Sequence, residues 1–129
     1  MDRRTRSSAS AVPPCAVETT LRIMSGKWKG VILYRLLAGK KRFNELQKMM
    51  PAVTHRTLTL QLRELEEDGI VKRTVYAEVP PRVEYELTEL GFTMEPVIRA
   101  MYDWGTFYKS TLPGEDAPSH SCDQEGKMG

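Results

Sequence analysis

Apolar residues recur at helical spacing through most of this chain, beginning at Cys15. Val17, Thr20, Leu21 and Met24 share one face of a predicted helix that stops at Ser25-Gly26. A second helix is predicted over about Lys27 to Leu37. Its Trp28, Val31, Ile32 and Leu36 follow the 3.6-residue period, with Leu33 to one side and Gly39 as its end. Lys40 to Phe43 read as a short extended link. Asn44 is the expected N-cap of a third, short helix that carries Leu46 and Met49 and is halted by Pro51. Thr54 then caps a fourth helix, His55 to Asp68, followed by Gly69. Leu58, Leu62 and Leu65 stand at i, i+4 and i+7 and give it one buried stripe.

The period then shortens to two. Ile70 to Tyr76 and Val83 to Leu87 are β-rich runs separated by Ala77-Glu78-Val79-Pro80-Pro81-Arg82, which predicts an antiparallel hairpin with a Pro-stiffened loop. Thr88 caps a final long helix, about Glu89 to Lys109, containing Leu90, Met94, Val97, Ile98, Met101, Trp104 and Phe107. Residues 1–14, rich in Ser, Ala and Arg and ending in Pro13-Pro14, are expected to be a flexible basic arm. Residues 111–129, rich in Gly, Pro, Ser and acid, are expected to be a disordered tail, which leaves 15–110 as one domain. The expected fold is mainly α with a small antiparallel β-hairpin: helix, helix, short strand, helix, helix, hairpin, helix.

Composition excludes more than it selects. A chain of 129 residues with 40% hydrophobic and 28% charged side chains is an ordinary globular domain. Lys and Arg interrupt every apolar run before membrane-spanning length. Arg3, Arg4 and Arg6 precede no apolar segment, so no secretory signal is expected. Cys15 and Cys122 are too few and too distant for a zinc site or disulfide framework, and both thiols are expected free in a reducing cytoplasm. The two histidines, His55 and His120, belong to no catalytic constellation, and no Gly-rich phosphate loop is present. Neither an enzyme nor a cofactor or metal is expected.

The charge is unevenly placed. Arg22 to Arg82 holds 13 Lys and Arg against 6 Asp and Glu, whereas Val83 to Gly129 holds 3 against 9. A basic middle and an acidic end suit a surface that faces a polyanion and a back that does not; a solvated pattern with no partner is the alternative. The element order decides for the polyanion. Two short helices joined by Met50-Pro51-Ala52-Val53 and followed by a hairpin are the architecture of a winged helix-turn-helix DNA-binding domain. The first residues of its second helix enter the major groove. They are Thr54, His55, Arg56, Thr57, Thr59, Leu60 and Gln61, with Arg56 suited to guanine and Gln61 to adenine. Acid is confined to the second half of that helix, Glu64, Glu66, Glu67 and Asp68, which directs its N-terminus toward phosphate. Lys27, Lys29, Lys41, Arg42, Arg73 and, at the hairpin tip, Arg82 are the expected phosphate contacts.

The residues also carry a family resemblance. Cys15-Ala16-Val17-Glu18, Gly26-Lys27-Trp28-Lys29, Arg42-Phe43-Asn44-Glu45-Leu46, Thr57 through Leu65, Arg73 through Tyr85 and Leu87-Thr88-Glu89-Leu90-Gly91 occur in order and at family spacing. On these the chain resembles the HxlR-type transcriptional regulators, a branch close to the MarR-type proteins, over about Cys15 to Trp104. The resemblance implies a homodimeric regulator, a repressor by preference, that binds an inverted repeat of operator DNA. It also implies a dimer interface built from the first and last helices, here Val17, Leu21, Val97, Met101, Trp104 and Phe107. In the family a cysteine at the position of Cys15 serves some members as a sensor of oxidants or electrophiles. Here it opens the first helix, where the helix dipole favours an anion, with Arg22 about two turns on. An inert, structural Cys15 is the alternative, and Ala16 stands where the family usually has proline.

Overall fold

The computed structural model describes residues 15–113; residues 1–14, expected as a flexible arm, and residues 114–129 of the tail expected over 111–129, with His120 and Cys122, lie outside the described residues. The elements are α1 (Ala16–Met24), α2 (Lys29–Leu36), β1 (Lys41–Arg42), α3 (Phe43–Met49), α4 (His55–Glu67), β2 (Val71–Tyr76), β3 (Arg82–Leu87), α5 (Glu89–Phe92) and α6 (Glu95–Ser110). β2 and β3 form an antiparallel hairpin in the register Val71 opposite Leu87 through Tyr76 opposite Arg82. β1 adds to the other edge of β3, with Lys41 opposite Tyr85, giving the sheet order β1-β3-β2.

One core holds these elements. Ile32, Leu33 and Leu36 of α2, Leu46 of α3, Leu58, Leu62 and Leu65 of α4, and Ile98 of α6 pack with Ile70, just before β2, and with Val71, Tyr85 and Leu87 of the sheet. Met50 and Val53, in the turn between α3 and α4, are buried in the same core, and the Gln47 side-chain amide donates to the Val53 carbonyl at 2.6 Å. Those anchors fix the angle between the two helices. By contrast, α1 buries none of its residues within the single chain.

Two expected boundaries are corrected. The third helix starts at Phe43, not after Asn44; Arg42 is its N-cap, and the Arg42 backbone N–H donates to the Glu45 carboxylate at 2.7 Å. Glu45 three residues after the cap is the acidic half of a capping box, a signal that outweighs the preference of Asn for the cap itself. The final helix is two helices. α5 is a single turn, and Pro96 at the start of α6 can neither donate an N–H nor clear the carbonyl four residues back. α5 is held by Thr88, whose hydroxyl accepts the Gly91 N–H and donates to the Gly69 carbonyl. A Cβ at Gly91 would collide with the Ile70 carbonyl, so only glycine permits this contact.

Candidate nucleic-acid interface

The candidate interface is built around α4. Thr54 caps it as expected: its hydroxyl oxygen accepts the Thr57 N–H at 3.0 Å and its O–H donates to the Thr57 hydroxyl. With Leu58, Leu62 and Leu65 turned into the core, three other sides of the helix remain.

The outward side carries Arg56, Leu60 and Arg63 at i, i+4 and i+7, all exposed. Among the described residues neither arginine has an ion-pair partner, so both guanidinium groups are available to phosphate or guanine. Arg63 falls in the acidic half of the helix by sequence and was not expected at the site. Its spacing from Arg56, directly opposite the leucine stripe, is the signal that would have found it.

A second side faces the wing. His55 packs on Phe43 with ring centroids 4.7 Å apart, which holds the imidazole at the first turn of α4. His55, Thr59, Arg63 and Glu66 line one wall of an open groove of about 640 Å³. Arg73, Glu78, Val79, Pro80, Pro81 and Arg82 of the hairpin line the other, with Arg42 and Phe43 at its end. Arg42 and Arg73 are exposed and, among the described residues, unpaired; Lys27 is exposed beside Trp28, and Lys41 is half-buried on β1. Arg82 is present in the groove but its charge is engaged. It pairs with Glu78 at 3.1 Å and Glu84 at 3.5 Å and lies over the Tyr76 ring, so it braces the wing rather than standing free at its tip.

The third side turns toward the α1–α2 corner and corrects two expectations. Lys29, expected on the phosphate-facing surface, is 1% exposed, and its ammonium pairs with Glu64 at 2.6 Å. Gln61, expected to read adenine, lays its amide against Gly26, with its Oε1 buried and unpartnered. Gly26 has φ of 107°, a backbone that strains any L side chain, and a Cβ there would lie 2.8 Å from Gln61 Nε2 and displace the amide. Arg22 of α1 reaches Asp68 at the end of α4 at 3.7 Å rather than serving Cys15. Gln61, Glu64 and Asp68 thus form a polar stripe fastening α4 to the first two helices.

Cys15 is exposed as the N-cap of α1, with its backbone N–H donated to Glu18 at 3.1 Å. Val17 and Leu21 of α1 and Val97, Met101, Trp104 and Phe107 of α6 are also all exposed, Val17 and Trp104 at over 60%. Trp104 and Tyr108 stack at 5.2 Å without being covered. Among the described residues no helix is long and apolar enough to cross a membrane, and no cluster of side chains could hold a metal ion.

This geometry has a family counterpart. Residues 23–112 match the HxlR-like helix-turn-helix family. The chain belongs to that family. HxlR-like relatives include the uncharacterized HTH-type transcriptional regulator YdeP of Bacillus subtilis (strain 168), 57% identical over 110 residues that cover 85% of this chain and 86% of the relative. A solved structure of the redox regulator HypR in its reduced form is 54% identical, with a TM-score of 0.73 over 76% of this chain and 97% of that one. HypR in its oxidized form is 52% identical, with a TM-score of 0.70 over 80% of this chain and 100% of that one. The HxlR-like chain described here is accordingly a winged helix-turn-helix transcriptional regulator and not an enzyme.

Proposed function

We propose that this regulator binds an inverted-repeat operator as a homodimer, with α4 of each protomer in the major groove, and represses transcription by occupying the promoter. The observation that carries this reading is the outward side of α4. Among the described residues Arg56 and Arg63 project there without ion-pair partners, and the basic groove beside them leads to the wing. Base contacts then come from the first turns of α4, including His55 and Arg56, with Thr54, Thr57 and Thr59 at their edge. Phosphate contacts come from Lys27, Lys41, Arg42 and Arg73, which set register without reading sequence. The apolar, uncovered sides of α1 and α6 support the dimer, which sets the two α4 helices about 34 Å apart, one turn of DNA. The site of action is the cytoplasm, where the DNA is.

Cys15 is the proposed switch, responding to an oxidant or electrophile. Its exposure, and the redox activity named for HypR, favour the sensing role over the inert one. A change at the start of α1 reaches α4 through Arg22–Asp68, Lys29–Glu64 and the Gly26–Gln61 contact. The test is selection of bound genomic fragments by the full chain, with and without diamide. Recovery of a common inverted repeat, released by diamide in wild type and not in Cys15→Ser, is the expected result; recovery of no common sequence would contradict the reading.

A further inference from the structure

The polar side chains of α4 that suit base reading are largely occupied at home. Thr54 and Thr57 bond each other at the cap, the Thr59 hydroxyl donates to the His55 carbonyl at 2.9 Å, and Gln61 is turned under Gly26. Between Arg56 and Arg63 the outward side of the helix presents Leu60, 45% exposed. Among the described residues no apolar neighbour covers the leucine there. It lies opposite the core stripe, and the two arginines that flank it are suited to draw in a polyanion. An isobutyl group pressed between them into a major groove meets donors and acceptors on every base edge but one, and the exception is the C5-methyl of thymine. Against guanine, adenine or unmethylated cytosine the same contact would desolvate a polar edge without a partner.

We infer that Leu60 is a specificity-determining residue that reads a thymine methyl group in each half-site, between the bases or phosphates held by Arg56 and Arg63. This rests on the DNA-binding reading of α4 given above. It makes A·T preference at one defined position a matter of apolar contact rather than hydrogen bonding.

The experiment uses the full chain. A preferred duplex is selected from random DNA, and each thymine of a half-site is then replaced singly by deoxyuridine, which removes only the methyl. Burial of one methyl corresponds to about fourfold in affinity. The expected result is one position per half-site at which deoxyuridine weakens wild-type binding by about that factor. Leu60→Ala should bind thymine and deoxyuridine duplexes alike, while Leu60→Met should retain the discrimination. Leu60 is outside the core and alanine favours helix, so both variants should fold, and circular dichroism verifies it. A preferred duplex indifferent to every methyl, or a methyl effect that survives in Leu60→Ala, overturns the inference while leaving the DNA-binding reading intact. Failure to select any preferred duplex overturns both.

Discussion

The ammonium of Lys29 lies 2.6 Å from the Glu64 carboxylate, buried on the lysine side and half-exposed on the glutamate side. This pair runs from α2 to the middle of α4. Together with Arg22–Asp68 it explains how acid in the second half of α4 is compatible with the proposed DNA-facing role of its first half. Part of that acid is internal wiring rather than a surface that repels phosphate.

The asymmetry of burial makes the two single substitutions unequal. Glu64→Ala leaves an ammonium uncompensated in the interior and should cost about 3 kcal/mol in urea unfolding. Lys29→Met keeps the aliphatic stem and leaves a carboxylate that water can reach, so its cost should stay within about 1 kcal/mol. Because Lys29 is not at the interface, Lys29→Met should also leave the salt dependence of DNA binding unchanged.

Gly26→Ala meets two obstacles, a backbone at φ of 107° and the Gln61 amide. A loss of more than about 1 kcal/mol is expected. Combining it with Gln61→Ala should recover part of that loss by removing the clash, leaving the backbone cost. A double-mutant cycle with no coupling would show that the two residues do not meet.

These contacts also mark what was legible in the sequence. The order of elements, the leucine stripe of α4 and the Thr54 cap follow from periodicity and capping chemistry, which are local. The inward placement of Lys29 and Gln61 is not legible, because polar residues flanking a core stripe look the same from sequence whether they face water or another helix. Only the tertiary placement of the α1–α2 corner tells them apart. The break at Pro96 is legible from proline chemistry even though an apolar period runs through it, and the capture of Arg82 by Glu78 and Glu84 depends on hairpin register. Arg63 was hidden by the acids around it.

Arg73 and Arg82 line the same groove but differ in their partners. Arg73→Ala should lower the slope of log affinity against log salt by about 1 per protomer. Arg82→Ala should change that slope by clearly less, because its charge is already balanced by two carboxylates. Fluorescence anisotropy titrations at several salt concentrations separate the two.

The uncovered side of α1 and α6 should associate. Replacing Trp104 and Met101 by glutamate places two charges in the proposed dimer interface, and sedimentation should show monomers. Operator affinity should then fall at least about a hundredfold, since each half-site is bound alone. A double variant that still sediments as a dimer would move the interface elsewhere.

The most direct measurement is the affinity of the full-length Arg56→Ala and Arg63→Ala variants for the selected duplex and for a scrambled one. Each contact removed should cost about 5- to 150-fold on the selected duplex, with less loss on the scrambled one and with the dimer intact. Unchanged affinity in folded, dimeric variants would contradict the assignment of α4 as the helix that reads DNA.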